Sequence, residues 1–315
     1  MEATELELFE RSIRHATETA TGEALDMALA DLGWVDALGS DPSLAISRLF
    51  ESQGAANVAS SALDYLLDTA LGGDGHAAVI LPPLRRHDVP GALSPPTYTV
   101  RGLATAALSR RGTAVVVARS EHGHVALSCK TADLEVRPVE GLDPTLGIVE
   151  VSGELRDAER IDRLVDWEAA VAIGQLALGH ELVGTARAML ELARLHALDR
   201  IQFGRPISAF QAVRHRLADG LVMLEAAAGL LDAAWEDPSP LTAAMAKGLA
   251  GRSARTVGRH CQQVLAGIGF TTEHPLHHYV RRSILLDQVL GAGSVLTREL
   301  GAAMLSGRAP TPLPL

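Results

Sequence analysis

The chain has 315 residues, 47% of them apolar and 3% aromatic, with a formal charge of -10. That length is enough to bury a sizeable core and to hold two or three subdomains, and the Ala- and Leu-rich bias favours helix over sheet. The acidic balance argues against nucleic acid or an anionic membrane as a general partner, and two distant cysteines, Cys129 and Cys261, exclude a disulfide scaffold.

The acidic N-terminus shows no basic segment leading into an apolar run, and no window of about eighteen apolar residues occurs. The chain is therefore read as soluble and cytoplasmic, with no membrane partner. Residues 4–33 carry helical spacing through Leu6, Phe9, Ile13, Leu25 and Leu29. Asp41 or Ser43 is placed to cap a helix beginning near Leu44, and a further helix over 56–70 ends at Gly72-Gly73. From about 76 to 151 the period changes to short β-branched runs: 76–81, 98–100, 114–118, 124–127, 134–136 and 148–151. Prolines and glycines separate them, which predicts a small antiparallel sheet. After Gly153 helical spacing returns: 161–198, interrupted near Gly179 or Gly184, then 208–236, 241–266, a helix after His274-Pro275, and 293–306. These shifts divide the chain into an N-terminal helical domain (1–75), a reduced β domain (76–153), a C-terminal four-helix bundle (154–308) and a flexible tail (309–315). The fold class is mainly α.

The residues that carry chemistry lie where the long helices turn. Arg200, Gln202 and Phe203 precede Gly204 and Pro206, which break the helix. The segment Arg200–Asp219 resembles the RxQFGxPIxxFQxxxHxLAD string of the acyl-CoA dehydrogenase family of flavoproteins. A second segment, Gln263–Phe270 followed by Glu273 and Pro275, is similar to that family's QxxGGxGYxxExP string, with Ala266 for its first paired glycine and Phe270 for its tyrosine. Leu32-Gly33-Trp34 matches a tripeptide after the family's first helices. The resemblance is close over 165–296 and loose at the N-terminus.

What the resemblance implies is an FAD enzyme that dehydrogenates an acyl-CoA thioester at the α,β bond. Arg200, Gln202, Phe203, Gln263 and Gly267 fall on positions that reach the ADP part of a neighbouring subunit's FAD. A planar guanidinium suits pyrophosphate, and a glycine allows close backbone approach. The family's catalytic glutamate opens a YEGTSE-like string, here matched to Leu290–Val295, with Gly291 in the base position. Some members place the base on the earlier long helix, which falls on Gly174. Both positions lack a carboxylate, so no catalytic residue is assigned. The family's flavin-sheltering ALTEPxAGSD-like strand and WIT-like turn are also missing, Ala92–Pro96 being the nearest remnant of the first. The implied role is one subunit of an α2β2 complex, with a full-length dehydrogenase chain supplying the glutamate. Such complexes act on steroid-derived acyl-CoA. Two alternatives stand beside this reading. One is a self-sufficient homomeric flavoenzyme with a relocated base (Asp287, Glu168 or Glu181), and the other is a scaffold without flavin. His274, His277 and His278 do not have metal-ligand spacing, so no metal is expected. Arg281-Arg282 offers local positive charge to a phosphate.

Overall fold

A computed structural model describes residues 3–94, 97–155 and 159–307. The tail expected at 309–315 and Pro95-Pro96 lie outside those residues. Five helices open the chain: α1 (Ala3–Thr19), α2 (Glu23–Asp31), α3 (Trp34–Ser40), α4 (Pro42–Ala56) and α5 (Ala62–Ala70). Asp41 starts α4 by accepting the Leu44 N–H at 3.0 Å, with Pro42 in the first turn, where its missing N–H costs nothing. Trp34 is buried, and its indole donates to the Ala45 carbonyl at 3.0 Å, tying α3 to α4.

One eight-stranded sheet follows: β1 (Ala78–Val79), β2 (Gly91–Ser94), β3 (Thr97–Ala104), β4 (Thr113–Ser120), β5 (Gly123–Lys130), β6 (Glu135–Pro138), β7 (Val149–Leu155) and β8 (Glu159–Val165). Its order is β6-β7-β3-β2-β4-β5-β8, with β1 parallel to β4. Two strands exceed the six runs read from sequence. β8 occupies part of the stretch expected to begin a helix at Ile161. Ile161, Leu164 and Val165 are spaced three and four apart, which mimics a helix. Antiparallel pairing with β5 overrides that local signal and carries the sheet past residue 153 to Val165.

The helical bundle is α6 (Trp167–Asp199), α7 (Gln211–Glu236), α8 (Pro240–Leu265), α9 (Leu276–Gln288) and α10 (Gly293–Leu305). Helix α6 runs for 33 residues without the break expected at Gly179 or Gly184. Those glycines serve packing instead. A Cβ on Gly184 would lie 2.0 Å from the Glu51 carbonyl, and one on Gly54 would lie 2.1 Å from the Glu181 carbonyl, so α4 and α6 cross backbone to backbone. Short connections make α6, α7, α8 and α9 alternate in direction. The C-terminal ends of α6 and α8 and the N-terminal ends of α7 and α9 therefore share one end of the bundle. The starts of α6 and α8 and the end of α9 share the other.

Arg282, expected as surface charge, is fully buried. It pairs with Asp143 and Glu181 and donates to the Val58 carbonyl at 2.8 Å, which joins the α4–α5 turn, the β6–β7 connection, α6 and α9. Three charges are thus taken from water, tolerable because each is paired. Arg282 is not free to meet a phosphate. A second tie links α4, α6 and α7. Trp235 donates to His180 Nε2 at 3.0 Å, and His180 Nδ1 faces Glu51 at 3.1 Å. Because indole N–H only donates, His180 Nε2 accepts and Nδ1 carries the proton.

Candidate functional site

At one end of the bundle, Ile201-Gln202 pairs with Arg205-Pro206 as a two-residue-looped hairpin. Its central residues, Phe203 and Gly204, have φ of 53° and 75°, the pair of positive values that defines a type I′ turn. Glycine takes that conformation freely. A phenylalanine there is an outlier. The consequence is presentation: Phe203 is 91% exposed, its ring supported edge-on by Phe210 at 6.1 Å. Arg205 lies over the Phe210 ring at 4.3 Å. Arg200 ends α6, is exposed and makes no ion pair among the described residues.

Gln263 is exposed in the last turn of α8, and Gly267 is exposed with open space where a Cβ would stand. Ala266 between them has φ 54° and ψ -135°, a backbone region open to glycine and strained for alanine. His196, one turn before Arg200, meets His274 edge-on at 6.4 Å, so the end of α6 touches the segment that follows Gly267. Both sequence motifs thus sit at the same end. An exposed guanidinium, an exposed aromatic face and an open glycine are groups that could hold an anionic dinucleotide. The histidines are otherwise engaged: His274 Nδ1 accepts the Leu276 N–H at 3.2 Å, and His277 Nδ1 faces the His274 carbonyl at 2.8 Å. Among the described residues no histidine, cysteine or carboxylate group could hold a metal. Burial pushes the Cys129 thiol up to about 11 and the Cys261 thiol to about 12, so neither is a nucleophile at neutral pH.

The opposite end holds the positions where the family resemblance places a base. A Cβ on Gly174 would lie 2.5 Å from Leu290 Cδ1 and 3.1 Å from Leu67 Cδ2. Leu290 is wholly buried, with φ 52°. Gly291 has φ 100°, and a Cβ there would meet Leu296 at 2.9 Å and His87 at 3.2 Å. The residue facing Gly174 is therefore Leu290, one position before Gly291. Three buried side chains fix this loop. Gln175 donates to the Leu290 carbonyl at 2.9 Å, and Lys247 donates to the carbonyls of Asp287 and Gly291 at 3.1 and 2.7 Å. Asp287 accepts the Gly293 N–H at 3.2 Å. Burial pulls the Lys247 ammonium down to about 8. Arg85 closes the other side, its N–H on the Gln288 carbonyl at 2.7 Å.

The relocated carboxylates differ in what surrounds them. Asp287 is buried against α8, its oxygens taken by Arg255, Gln288 and Gly293. Glu168 is exposed at a cavity of about 310 Å³ that it shares with His87, Trp167, Gln175, Leu296 and Glu299. Glu181 is buried, lines a cavity of about 50 Å³ between Phe50, Leu178 and Val289, and is pushed up to about 7 by desolvation against the pull of Arg282. The charge runs in the sequence did not disclose the Arg282 cluster, and no spacing rule signalled the Leu290–Gly174 contact.

Residues 168–305 match the family model of the acyl-CoA dehydrogenase C-terminal domain. The chain carries the C-terminal domain of the acyl-CoA dehydrogenase family. It is 33% identical over 164 residues to the acyl-CoA dehydrogenase IpdE2 of Mycobacterium tuberculosis, covering 52% of this chain and 50% of that one. The chain thus matches about half the length of such curated relatives. Its whole fold resembles a chain of the ChsE4-ChsE5 complex from Mycobacterium tuberculosis, with a TM-score of 0.80, 20% identity and 99% of each chain covered. It also resembles a chain of the Tcur3481-Tcur3483 steroid acyl-CoA dehydrogenase G363A variant, with a TM-score of 0.78, 22% identity and 98% of each covered. The acyl-CoA dehydrogenase fold is thereby established, as is its mainly α class. No described helix is long and apolar enough to cross a membrane.

Proposed function

We propose that this chain is one subunit of a heteromeric FAD-dependent acyl-CoA dehydrogenase. It grips a cofactor whose reactive ring, together with the catalytic glutamate, belongs to a full-length companion. One observation carries this reading. Gly174 and Arg200 are on the same unbroken helix, about 39 Å apart at 1.5 Å of rise per residue, so the dinucleotide-gripping end is remote from the chain's own base position. At that remote position the space is filled by leucines.

The family's two alternative base positions serve the same acyl proton, so their side chains must converge on one point. The convergence seen is between Gly174 and Leu290, which puts Leu290, rather than Gly291, at the position of the lost glutamate. Gly291 then supplies the positive φ that the loop needs. Arg200 offers its guanidinium to the companion's pyrophosphate, Phe203 an apolar face to the adenosine half, and Gln263 and Gly267 a side-chain amide and an unobstructed backbone. Held by these residues, a flavin would supply the acceptor for the hydride leaving the acyl β-carbon. The ChsE4-ChsE5 complex and the Tcur3481-Tcur3483 steroid acyl-CoA dehydrogenase, each of two chains, support a dehydrogenase companion, and we extend this to an α2β2 assembly. A bulky, steroid-derived acyl-CoA is the substrate proposed.

The test is Arg200→Ala in the complex with its companion. Flavin content should fall at least several-fold while the two chains still co-purify. Unchanged flavin content would favour the scaffold role instead. A self-sufficient enzyme would need a working base in this chain. Glu181 lines a cavity and its carboxyl is pushed up to about 7, and loss of turnover in Glu181→Gln with flavin retained would favour that rival.

A further inference from the structure

On the flank of the bundle, α7, α8 and α9 border a groove of about 560 Å³ that runs along α8 from Arg252 to Gln262, next to Gln263. Its floor is apolar, formed by Met223, Val280 and Ile284, the last 36% exposed. Arg252, Arg255 and Arg259 border it from α8, three and four residues apart and hence on one face of that helix. Arg255 is held by Asp287. Arg252 and Arg259 are exposed and form no ion pair among the described residues. In a chain of net charge -10, three guanidiniums around one apolar floor reverse the local sign. The adjoining surface of α7 exposes Leu221 at 46% and Val222 at 67%.

We propose that this groove docks an acidic, amphipathic helix of the companion dehydrogenase chain, which rests on the reading that such a companion exists. The two unpaired arginines stand seven residues apart, about 10 Å along α8. That is the repeat at which carboxylates recur on one face of a facing helix, whose apolar side would cover Met223, Val280 and Ile284. A small free anion would use the arginines and leave the apolar floor wet. An uncharged helix would leave the arginines unpaired. Charge complementarity here sets which chain docks and in which register, while the floor supplies the burial that holds it.

The experiment uses this chain co-expressed with the full-length acyl-CoA dehydrogenase of its own genome that co-purifies with the wild type. Arg252→Glu with Arg259→Glu should weaken association at least ~100-fold, and the paired glutamine variant should fall between that and wild type. Both variants should keep the wild-type melting temperature, and the wild-type affinity should drop steeply with added salt. Full-strength association of the folded glutamate variant would overturn the proposal. So would self-association of the isolated wild-type chain through the same arginines, seen by sedimentation velocity, which would assign the groove to a second copy. Displacement of the companion by millimolar inorganic phosphate, with equal binding of phosphate to the isolated chain, would make it an anion site only and refute docking. If the wild type captures no dehydrogenase chain, the companion reading itself fails, and the wild-type control shows that directly. Arg200→Ala should leave assembly intact and lower flavin alone, which separates the groove from the hairpin.

Discussion

Gly174→Glu would restore a carboxylate at one of the family's base positions, and the geometry predicts that it fails. Its Cβ would sit 2.5 Å from Leu290 Cδ1 and 3.1 Å from Leu67 Cδ2, well inside van der Waals contact. Leu290 cannot swing away freely, being wholly buried, at positive φ and tied through its carbonyl to Gln175. Overpacking of this kind costs about 1–3 kcal/mol. Placing a carboxyl among Leu63, Leu67 and Leu290 without a partner adds about 1–3 kcal/mol even if it stays protonated. The sum is on the order of 4 kcal/mol, a fall in melting temperature of roughly 6 °C for a chain of this length, at about 2.1 cal/mol/K of unfolding entropy per residue. Trimming the obstruction with Leu290→Ala in the same chain should recover part of the loss, so the two changes should be non-additive. Thermal melts of the two single variants and the double variant measure this, with acyl-CoA-dependent flavin bleaching as the activity readout. A Gly174→Glu variant as stable as wild type that dehydrogenates an acyl-CoA by itself would refute the view that this end is closed.

Two other substitutions probe the scaffold. Arg282→Met should cost about 3–5 kcal/mol near pH 8 in urea unfolding, because it leaves Asp143 and Glu181 buried without their cation. Glu181 titrates in the fold near 7, raised from its ordinary 4.5, so it favours the folded state below about 4.5 and loses that contribution as pH rises through 7. Removing Arg282 raises it further, and the deficit should shrink as pH falls toward 5; a deficit that grows on acidification would contradict this. Ala266→Gly should raise stability by about 1 kcal/mol, as relief of the strain at φ 54° exceeds glycine's entropic cost. A lower melting temperature would show that the backbone there is unstrained.

The long helices and the break between α6 and α7 were legible because their signals are local: Asp41 and Pro42 at a helix start, Gly204 and Pro206 at a break, and apolar residues on one stripe; the hairpin within that break was not. Where partners across the fold decide, the signal was ambiguous. Glu159–Val165 has helical spacing and pairs as a strand only because β5 offers an edge. Gly179 and Gly184 looked like breaks, yet each marks a close approach within a continuous α6. The proposed dinucleotide positions were named from matched strings, and the structure adds how these side chains are presented, above all Phe203 at the tip of a type I′ turn. The proposed shift of the base position from Gly291 to Leu290 rests on a loop with two successive positive φ values, which no local sequence signal announces. Arg282 could not be told from its exposed neighbour Arg281, since helix facing depends on what packs against α9.

The most direct measurement is to purify the chain by itself, record its visible absorbance and assay it with acyl-CoA thioesters, then repeat both with the companion present. The account predicts a colourless, inactive single chain and a yellow complex that turns over. Bound flavin and thioester oxidation by the lone chain would contradict it.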